Sequence, residues 1–547
     1  MFHTMKINPQ ANLKPSPRAT IEICLLLGAV VVAVGLRYAN LKGIPPALNQ
    51  DEAVNGYDAY SLFRTGRDHL GHPFPFAGLE SFGDWTSPLL TFLTIPFVGL
   101  LGLHTEVLRL VSATVGVLLV PIIYLLGCEL WQRRSVGILA AWFIAVLPWH
   151  VHLSRWAIPP TMVPTMIALT ILALVWSLRR WSNLGLINTA IIAGLTFASY
   201  PTMKLYVPLL VGVVLLIYWR SIKHLRFAAI SYAILIFVVI AGPILYLSTF
   251  DPAGRARLDQ VSIFRATHVD APLLIRQYAS YFSPRFLFTA GDGDPMHVPS
   301  GYGVEQYSAL PFLLIGLVAL GYGVVQTQHP RRRAASLVLL SALVLYPVPG
   351  SLTLPSPHVL RGAHLIPLSA LVAAIGAVTL ADLIIRLLRT RRPQARRVAL
   401  LMLTVIACGS FGRELFGFYK DYFHTYPQQV LGQFQYGLEQ ALSYVHDHAD
   451  GASEIWISNA NEAYIYVLFY ERWSPDDVHQ YLAVRRRPPA FNTVDTFDKY
   501  HFGEPSAAQS KALTILYTIS YPNGSPAYEV LGGQTKEHKP IFVIRHP

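Results

Sequence analysis

Residues 226–247 of this chain read RFAAISYAILIFVVIAGPILYL, with no charged side chain after Arg226. A helix rises 1.5 Å per residue, so a run of this length can cross the roughly 30 Å hydrocarbon core of a membrane. Similar apolar runs recur near residues 20–38, 87–103, 109–128, 136–149, 160–178, 186–200, 204–219, 308–326, 335–349, 364–388 and 397–414. The sequence therefore predicts an α-helical polytopic membrane protein.

The composition supports the same class. Of the 547 residues, 53% are hydrophobic and 14% are charged, whereas a soluble domain usually carries about 25% charged residues. This argues against a large soluble enzyme. The cysteines Cys24, Cys128 and Cys408 all lie within apolar runs, so no disulfide framework is predicted.

The net charge of +12 comes largely from short basic clusters between the apolar runs. Such clusters are typical of cytoplasmic loops, so we expect contacts with lipid headgroups and no nucleic-acid partner. The clusters are Arg133–Arg134, Arg179–Arg180, Arg220–Arg226, Arg331–Arg333 and Arg386–Arg397.

All of these clusters and the basic N-terminus fall on one side if the run 87–103 does not cross the membrane. That run begins with Ser87-Pro88 and contains Pro96, which suits an interfacial or re-entrant helix. We therefore predict about eleven spans within residues 1–414, with outer loops at 39–108 and 248–307.

Residues 415–547 are predicted to form a small, mixed α/β domain on the extracytoplasmic side. Alternating apolar residues indicate strands at 453–458, 512–519 and 541–545, and a helix at 461–472. Clusters of Pro, Gly and Ser separate these elements.

The first outer loop contains Asn49-Gln50-Asp51-Glu52, with two adjacent acids shortly after the first span. Adjacent carboxylates repel each other, which raises the pKa of one of them and suits a proton acceptor. The alternative interpretation is a solvated helix start with Asp51 as the N-cap.

Further segments follow the acid pair along the chain: Tyr57, Gly66-Arg67-Asp68, Ser87-Pro88-Leu89, Arg109 within LRLVSA, Leu147-Pro148 and Leu153-Ser154-Arg155. Together with Asp51-Glu52, and in this order, they resemble the family 39 and family 83 glycosyltransferases, which include the protein O-mannosyltransferases and the lipid A aminoarabinose transferases. The resemblance covers roughly residues 20–390 and implies the GT-C membrane fold.

The resemblance implies an inverting sugar transfer from a polyprenyl-phosphate-linked donor to a lipid, glycan or protein acceptor. The reaction would take place on the extracytoplasmic face of the cell membrane. Asp51 matches the position of the family's catalytic base, and Glu52 would orient the site or the acceptor. The family's lysine near the interfacial run is not present in Asp84-Trp85-Thr86-Ser87-Pro88, which puts a phosphate contact there in doubt.

A phosphate that leaves the sugar gains negative charge, so cations should lie where that charge develops. The candidates at outer helix ends are Arg155, Arg361, Lys204, Arg109 and His358. For each of the longer side chains, snorkelling to lipid headgroups is the alternative. We assign acceptor or sugar contacts to Tyr57, Asp84, Tyr200 and His297.

The stretch Gly291-Asp292-Gly293-Asp294-Pro295-Met296-His297 suits either a turn or a divalent cation site. We predict no cofactor and no metal ligand set, and leave a divalent cation as the alternative. Signatures of nucleotide phosphates, dinucleotides, zinc and hydrolase nucleophiles are missing, which fits a donor already attached to lipid.

Two other functions remain open. A transporter or flippase of lipid-linked sugars would carry ionisable residues near mid-span and internal repeats, and the sequence shows neither clearly. A non-catalytic membrane scaffold would explain the C-terminal domain, but it gives no reason for the acid pair.

Overall fold

A computed structural model of the protein describes residues 17–265, 269–388, 393–448, 454–457, 462–485, 493–503, 513–517, 528–534 and 540–545. Its first eleven helices are α1 (Pro17–Tyr38), α2 (Gln50–Thr65), α3 (Leu89–Leu101), α4 (Thr105–Trp131), α5 (Arg134–Val146), α6 (Pro148–Ser154), α7 (Val163–Arg180), α8 (Asn183–Phe197), α9 (Met203–Ile217), α10 (Trp219–Ile222) and α11 (Phe227–Phe250). The others are α12 (Pro252–Val261), α13 (Ala271–Ser280), α14 (Leu310–Val325), α15 (Pro330–Leu345), α16 (Val348–Ser351), α17 (Leu365–Leu387), α18 (Pro393–His424), α19 (Tyr426–Gln429), α20 (Leu438–His448), α21 (Tyr464–Tyr470) and α22 (Pro475–Tyr481).

The predicted helical membrane fold is confirmed. Among the described residues, eight helices are long and apolar enough to cross a membrane, or nine if α5 and α6, bent by 61°, form one span. The prediction of about eleven also counted α8 and α9. At 15 residues each, these two helices are roughly 22 Å long and fall short of a full hydrocarbon core.

The run 87–103 forms α3, a helix of 13 residues with Pro96 inside it. At roughly 20 Å it is too short to span the membrane upright. It packs beside α2 and against the long helix α4. The length of α3 fits the prediction that this run does not cross the membrane, although it is one continuous helix.

The basic clusters gather on one face of the helix bundle, which we call the basic face. Ion pairs there join Arg134 to Glu22 near the start of α1, and Arg133 to Asp382 near the end of α17. Arg179 lies against Glu129 near the end of α4, and it donates to the carbonyl of Arg331. Helix ends from across the bundle therefore meet on this face.

The opposite face carries residues 39–86, and we call it the loop face. Here α2 is followed by a hairpin of β1 (Leu79–Ser81) and β2 (Asp84–Thr86). The connecting loop is fixed by Asp58, which accepts hydrogen bonds from the backbone nitrogen (2.9 Å) and Nδ1 (2.7 Å) of His69. Burial disfavours the charged form and raises the pKa of Asp58, although His69 opposes that rise.

The C-terminal part forms a six-stranded mixed sheet in the order β6-β7-β3-β8-β10-β9, beside a two-stranded pair, β4 with β5. The predicted strands are confirmed as β3, β8 and β10, and the predicted helix as α21. The boundary predicted at residue 414 lies inside α18, which continues to His424. The strands are β3 (Ile455–Ile457), β4 (Val484–Arg485), β5 (Thr493–Val494), β6 (Thr496–Phe497), β7 (Tyr500–Phe502), β8 (Leu513–Tyr517), β9 (Tyr528–Gln534) and β10 (Pro540–Arg545).

The C-terminal domain shares an apolar core with α2. The hydroxyl of Tyr57 donates to the carbonyl of Trp473 at 2.8 Å. At Gly56, an added Cβ would lie 2.5 Å from Leu108 of α4 and 2.8 Å from the ring of Phe469, so the close packing of α2 against α4 and α21 favours glycine. This packing holds the C-terminal domain against the helix that begins with the acid pair.

Candidate active site

The two adjacent acids occupy different environments. Glu52 is fully buried, and its carboxylate forms a two-pronged pair with Arg109 (2.9 and 2.8 Å). Glu52 also accepts hydrogen bonds from the backbone nitrogens of Asn49 (3.1 Å) and Ala157 (3.0 Å). Its charge is balanced and its oxygens are occupied, so it serves to fix the start of α2.

Asp51 instead lies exposed in the first turn of α2. The N-cap is Asn49, whose side chain accepts from the Asp51 backbone nitrogen at 2.9 Å, so the interpretation of Asp51 as the cap is wrong. The positive end of the helix dipole favours the ionised form of a carboxylate at this position. A rigid helix start therefore presents one accessible carboxylate on the loop face.

The guanidinium of Arg109 is fully engaged in hydrogen bonds within the protein. Its five N–H groups are taken by the two Glu52 oxygens and by the carbonyls of Leu41 (2.9 Å), Pro45 (2.8 Å) and Ala47 (2.5 Å). No donor is left for a phosphate. The geometry gives Arg109 the role of tying the segment after α1 to α4, in place of the phosphate contact expected from sequence.

Arg155 has a similar architectural position. It is buried and donates to the carbonyls of Leu36, Arg37, Asn40 and Ile44 at 2.9 to 3.1 Å. These carbonyls belong to the last turn of α1 and the residues after it, where helical partners are lacking. The guanidinium thus caps α1, and the structure does not place it as an open phosphate ligand.

The loop 291–302 approaches the start of α2, where the side-chain nitrogen of Asn49 lies 4.0 Å from the sulfur of Met296. The predicted turn is present. Asp292 accepts from the Asp294 backbone nitrogen (3.2 Å), and Asp294 accepts from that of Met296 (2.9 Å). Gly291 and Gly293 have φ of 54° and 88°, a conformation that favours glycine.

Asp292 joins this loop to the segment 353–361. One carboxylate oxygen accepts from Nδ1 of His297 (2.8 Å) and from the backbone nitrogen of Val359 (2.9 Å), and it lies 3.7 Å from Nδ1 of His358. Burial opposes ionisation, but these hydrogen bonds and the nearby imidazoles hold the pKa of Asp292 below its usual value. The sequence had assigned Asp292 only to a turn or a cation site.

The same three side chains could hold a divalent cation. Asp292, His297 and His358 each offer one ligand atom, and these atoms lie within 4.8 Å of one another. Imidazole and carboxylate ligands suit several divalent metals. His358 is the member that the sequence could not pair with this loop, because more than 60 residues separate them.

Arg361 follows one turn after His358. It donates to the hydroxyl of Thr353 (2.7 Å) and to the carbonyl of Pro355 (3.1 Å). The hydroxyl of Tyr281 accepts from the His358 backbone nitrogen at 3.2 Å. Burial raises the pKa of Tyr281 to about 12, with Arg361 opposing and Tyr200 adding to that rise, so both residues lie close to Tyr281.

Lys204 and Asp84 also lie near each other. The Lys204 ammonium donates to the hydroxyl of Ser248 at 2.5 Å and is within electrostatic range of Asp84 on the hairpin. The hairpin is held there by Trp85, whose indole nitrogen donates to Asp251 at 2.9 Å. Lys204 of α9 therefore lies near Asp84, in the segment where the lysine of the resembling family is not present.

The structure also places the predicted acceptor contacts. Tyr57 is fully buried against Trp473, which leaves it no face toward an acceptor. Tyr200 and His297 are half-buried and lie in the region of Tyr281 and Asp292. Tyr466 of α21 was missed from sequence. Burial raises its pKa, and the Asp51 and Glu52 carboxylates add to the rise, so the C-terminal domain reaches the acid pair.

The comparisons with known proteins concern the fold of the chain. Residues 77–253 match the family model described as dolichyl-phosphate-mannose-protein mannosyltransferase. The structure of ArnT from Cupriavidus metallidurans bound to undecaprenyl phosphate aligns with 97% of this chain and 98% of its own, at 14% identity and a TM-score of 0.50. The chain has the GT-C fold.

A second GT-C structure is the oligosaccharyltransferase AglB from Archaeoglobus fulgidus, solved with an inhibitory peptide and a dolichol-phosphate. It aligns with 83% of this chain at 12% identity and a TM-score of 0.54. This chain spans 64% of the length of AglB. No curated protein sequence matches the chain. At these identities the structural likeness establishes the fold alone.

Proposed function

We propose that the protein is a glycosyltransferase that moves a sugar from a polyprenyl-phosphate donor to an acceptor at the loop face. The observation that supports this proposal is the exposed carboxylate of Asp51 at the start of α2, where Asn49 contacts Met296. Met296 belongs to the loop whose Asp292 and His297 contact His358. The basic face would be cytoplasmic under the positive-inside rule, so the loop face would be extracytoplasmic.

The reaction we propose is a single displacement with inversion at the anomeric carbon. Asp51 accepts the proton of the acceptor hydroxyl or amine as its heteroatom bonds to that carbon. The bond from the anomeric carbon to the phosphate oxygen breaks, and the electron pair stays on the polyprenyl phosphate. Arg361, His358 and Lys204 lie on the loop face, where they would stabilise the added negative charge.

This function is tested by reconstituting the purified chain in vesicles with the polyprenyl-phosphate sugars extracted from membranes. Mass spectrometry should detect an acceptor that has gained one sugar, together with free polyprenyl phosphate. Movement of the intact lipid-linked sugar across the vesicle membrane, without transfer, would favour a flippase and refute the proposal.

Replacing Arg361 with Ala should raise the KM for the lipid-linked donor about 10- to 100-fold, because a charged hydrogen bond to the phosphate is lost. The KM of Arg361→Lys, which keeps the charge, should lie between that of the unmodified protein and that of Arg361→Ala. Arg285→Ala is the matched control, since Arg285 is exposed on the neighbouring loop. Equal effects of the Arg361 and Arg285 variants would argue against a phosphate contact.

We propose that transfer proceeds without a metal and that Asp292 orients His297 and His358 by accepting hydrogen bonds. Activity measured after dialysis against a chelator should then remain within about twofold of the untreated protein. If chelation abolishes transfer and Mg²⁺ or Mn²⁺ restores it, the three side chains form a cation site instead.

A further inference from the structure

An apolar cavity of about 260 Å³ lies among α7, α8, α9 and α11, away from the loop face. Its lining includes Leu178, Ala190, Ala193 and Ala233, and its one polar side chain is Thr189. The Thr189 hydroxyl donates to the carbonyl of Gly185 at 2.8 Å. The lining therefore offers no open polar partner and suits only hydrocarbon.

The cavity opens to the side of the bundle, where a bilayer would lie. Ile234, at its edge, is 60% exposed. The short helices α8 and α9 both line the cavity, and each is shorter than the full thickness of a hydrocarbon core. An acyl chain could enter from the bilayer without crossing any polar surface.

The end of the cavity toward the basic face is closed by residues 219–226. Ile222 and Leu225 line the cavity, while Lys223 and Arg226 between and after them are exposed. Arg220 is exposed on the same segment. Positive side chains therefore stand beside the closed end of a cavity whose lining is almost wholly apolar.

Aromatic rings mark the membrane interface at the same level. Trp219 lies 4.4 Å from the Lys223 ammonium and 5.6 Å from the Arg220 guanidinium, and Trp181 stacks on His224. Tryptophan is enriched at the level of lipid headgroups. The nearby acid Glu129 pairs with Arg179 and Arg180, so it does not offset the charge of residues 220–226.

We propose that this cavity and its basic segment bind one anionic phospholipid, separately from the sugar transfer proposed above. One acyl chain fills the cavity between α8 and α11, and the phosphate lies against Arg220, Lys223 and Arg226. Clusters of Lys and Arg next to membrane helices attract anionic headgroups, and an adjacent apolar cavity adds a fixed position for the chain.

The test uses the full chain in nanodiscs of equimolar phosphatidylcholine and phosphatidylglycerol, followed by native mass spectrometry of the retained lipid. The triple variant R220Q/K223Q/R226Q removes the charge, and Ala193→Phe fills the cavity. The matched control, R331Q/R333Q/R386Q, removes three exposed charges elsewhere on the basic face. Thermal unfolding checks that each variant is folded.

The unmodified chain should retain one phosphatidylglycerol in preference to phosphatidylcholine. R220Q/K223Q/R226Q should lower that preference at least about tenfold, and Ala193→Phe should remove the retained lipid of either type. Unchanged retention in R220Q/K223Q/R226Q, or an equal loss in the control, would overturn the proposal. Retention of a polyprenyl phosphate in place of phosphatidylglycerol would also overturn it.

Discussion

Replacing Asp51 with Asn lowers the rate of sugar transfer about 100- to 10,000-fold, the range expected when a general base is removed. Asparagine keeps the size of the side chain but cannot accept the proton of the acceptor. The hydrogen bonds that fix the start of α2 come from Asn49 and Glu52, so the helix should remain in place. The measurement is the initial rate in vesicles at saturating lipid-linked donor.

Asp495→Asn is the control for this experiment, because Asp495 lies on the surface of the C-terminal domain with half of its side chain exposed. It should transfer sugar at the normal rate. The binding of donor by the Asp51→Asn variant should also be normal, since the carboxylate acts on the acceptor. Undiminished transfer by that variant would remove Asp51 from the mechanism.

Replacing Arg109 with Met destabilises the protein by about 3–5 kcal/mol, because Glu52 is left as a buried charge without a partner. The carbonyls of Leu41, Pro45 and Ala47 lose their donor in the same change. The measurement is the Tm of the purified protein in detergent. We expect a loss of activity to follow the loss of structure at the start of α2.

The double variant Glu52→Gln with Arg109→Met should be less destabilised than the sum of the two single variants, because both ends of one ion pair are removed. Arg485→Met is the control. Arg485 pairs with Asp495 at 3.0 Å, but both side chains are more than half exposed, so its Tm should change little. If Arg109→Met were as stable as Arg485→Met, the structural role of Arg109 would be wrong.

The sequence led to Arg109 and Arg155 as phosphate ligands, and the structure uses both differently. A guanidinium near a helix end can bind a phosphate, a carboxylate or free backbone carbonyls with similar geometry. Only the folded chain shows that the end of α1 and the segment after it supply the carbonyls. Arg361 and Lys204 stay predictions.

The roles of the two adjacent acids also could not be distinguished from sequence. Asp51 and Glu52 are neighbours in sequence, and nothing in their order says which is buried. The capping role of Asn49 sets the rotation of α2, which turns Glu52 toward Arg109 and Ala157 and leaves Asp51 exposed. Glu52 therefore has a structural role, and Asp51 is the candidate base.

What the sequence determined unaided was the class of the protein and the positions of its long apolar helices. The length and hydrophobicity of a run decide whether it can form a membrane-spanning helix, and the positions of Lys and Arg indicate which loops share one side of the membrane. Both properties belong to local segments, so they can be read from sequence. The tertiary structure decided which charges share a site. Asp292 lies 3.7 Å from His358, and Lys204 lies within electrostatic range of Asp84, although each pair is far apart in sequence. Such proximity depends on how the helices pack.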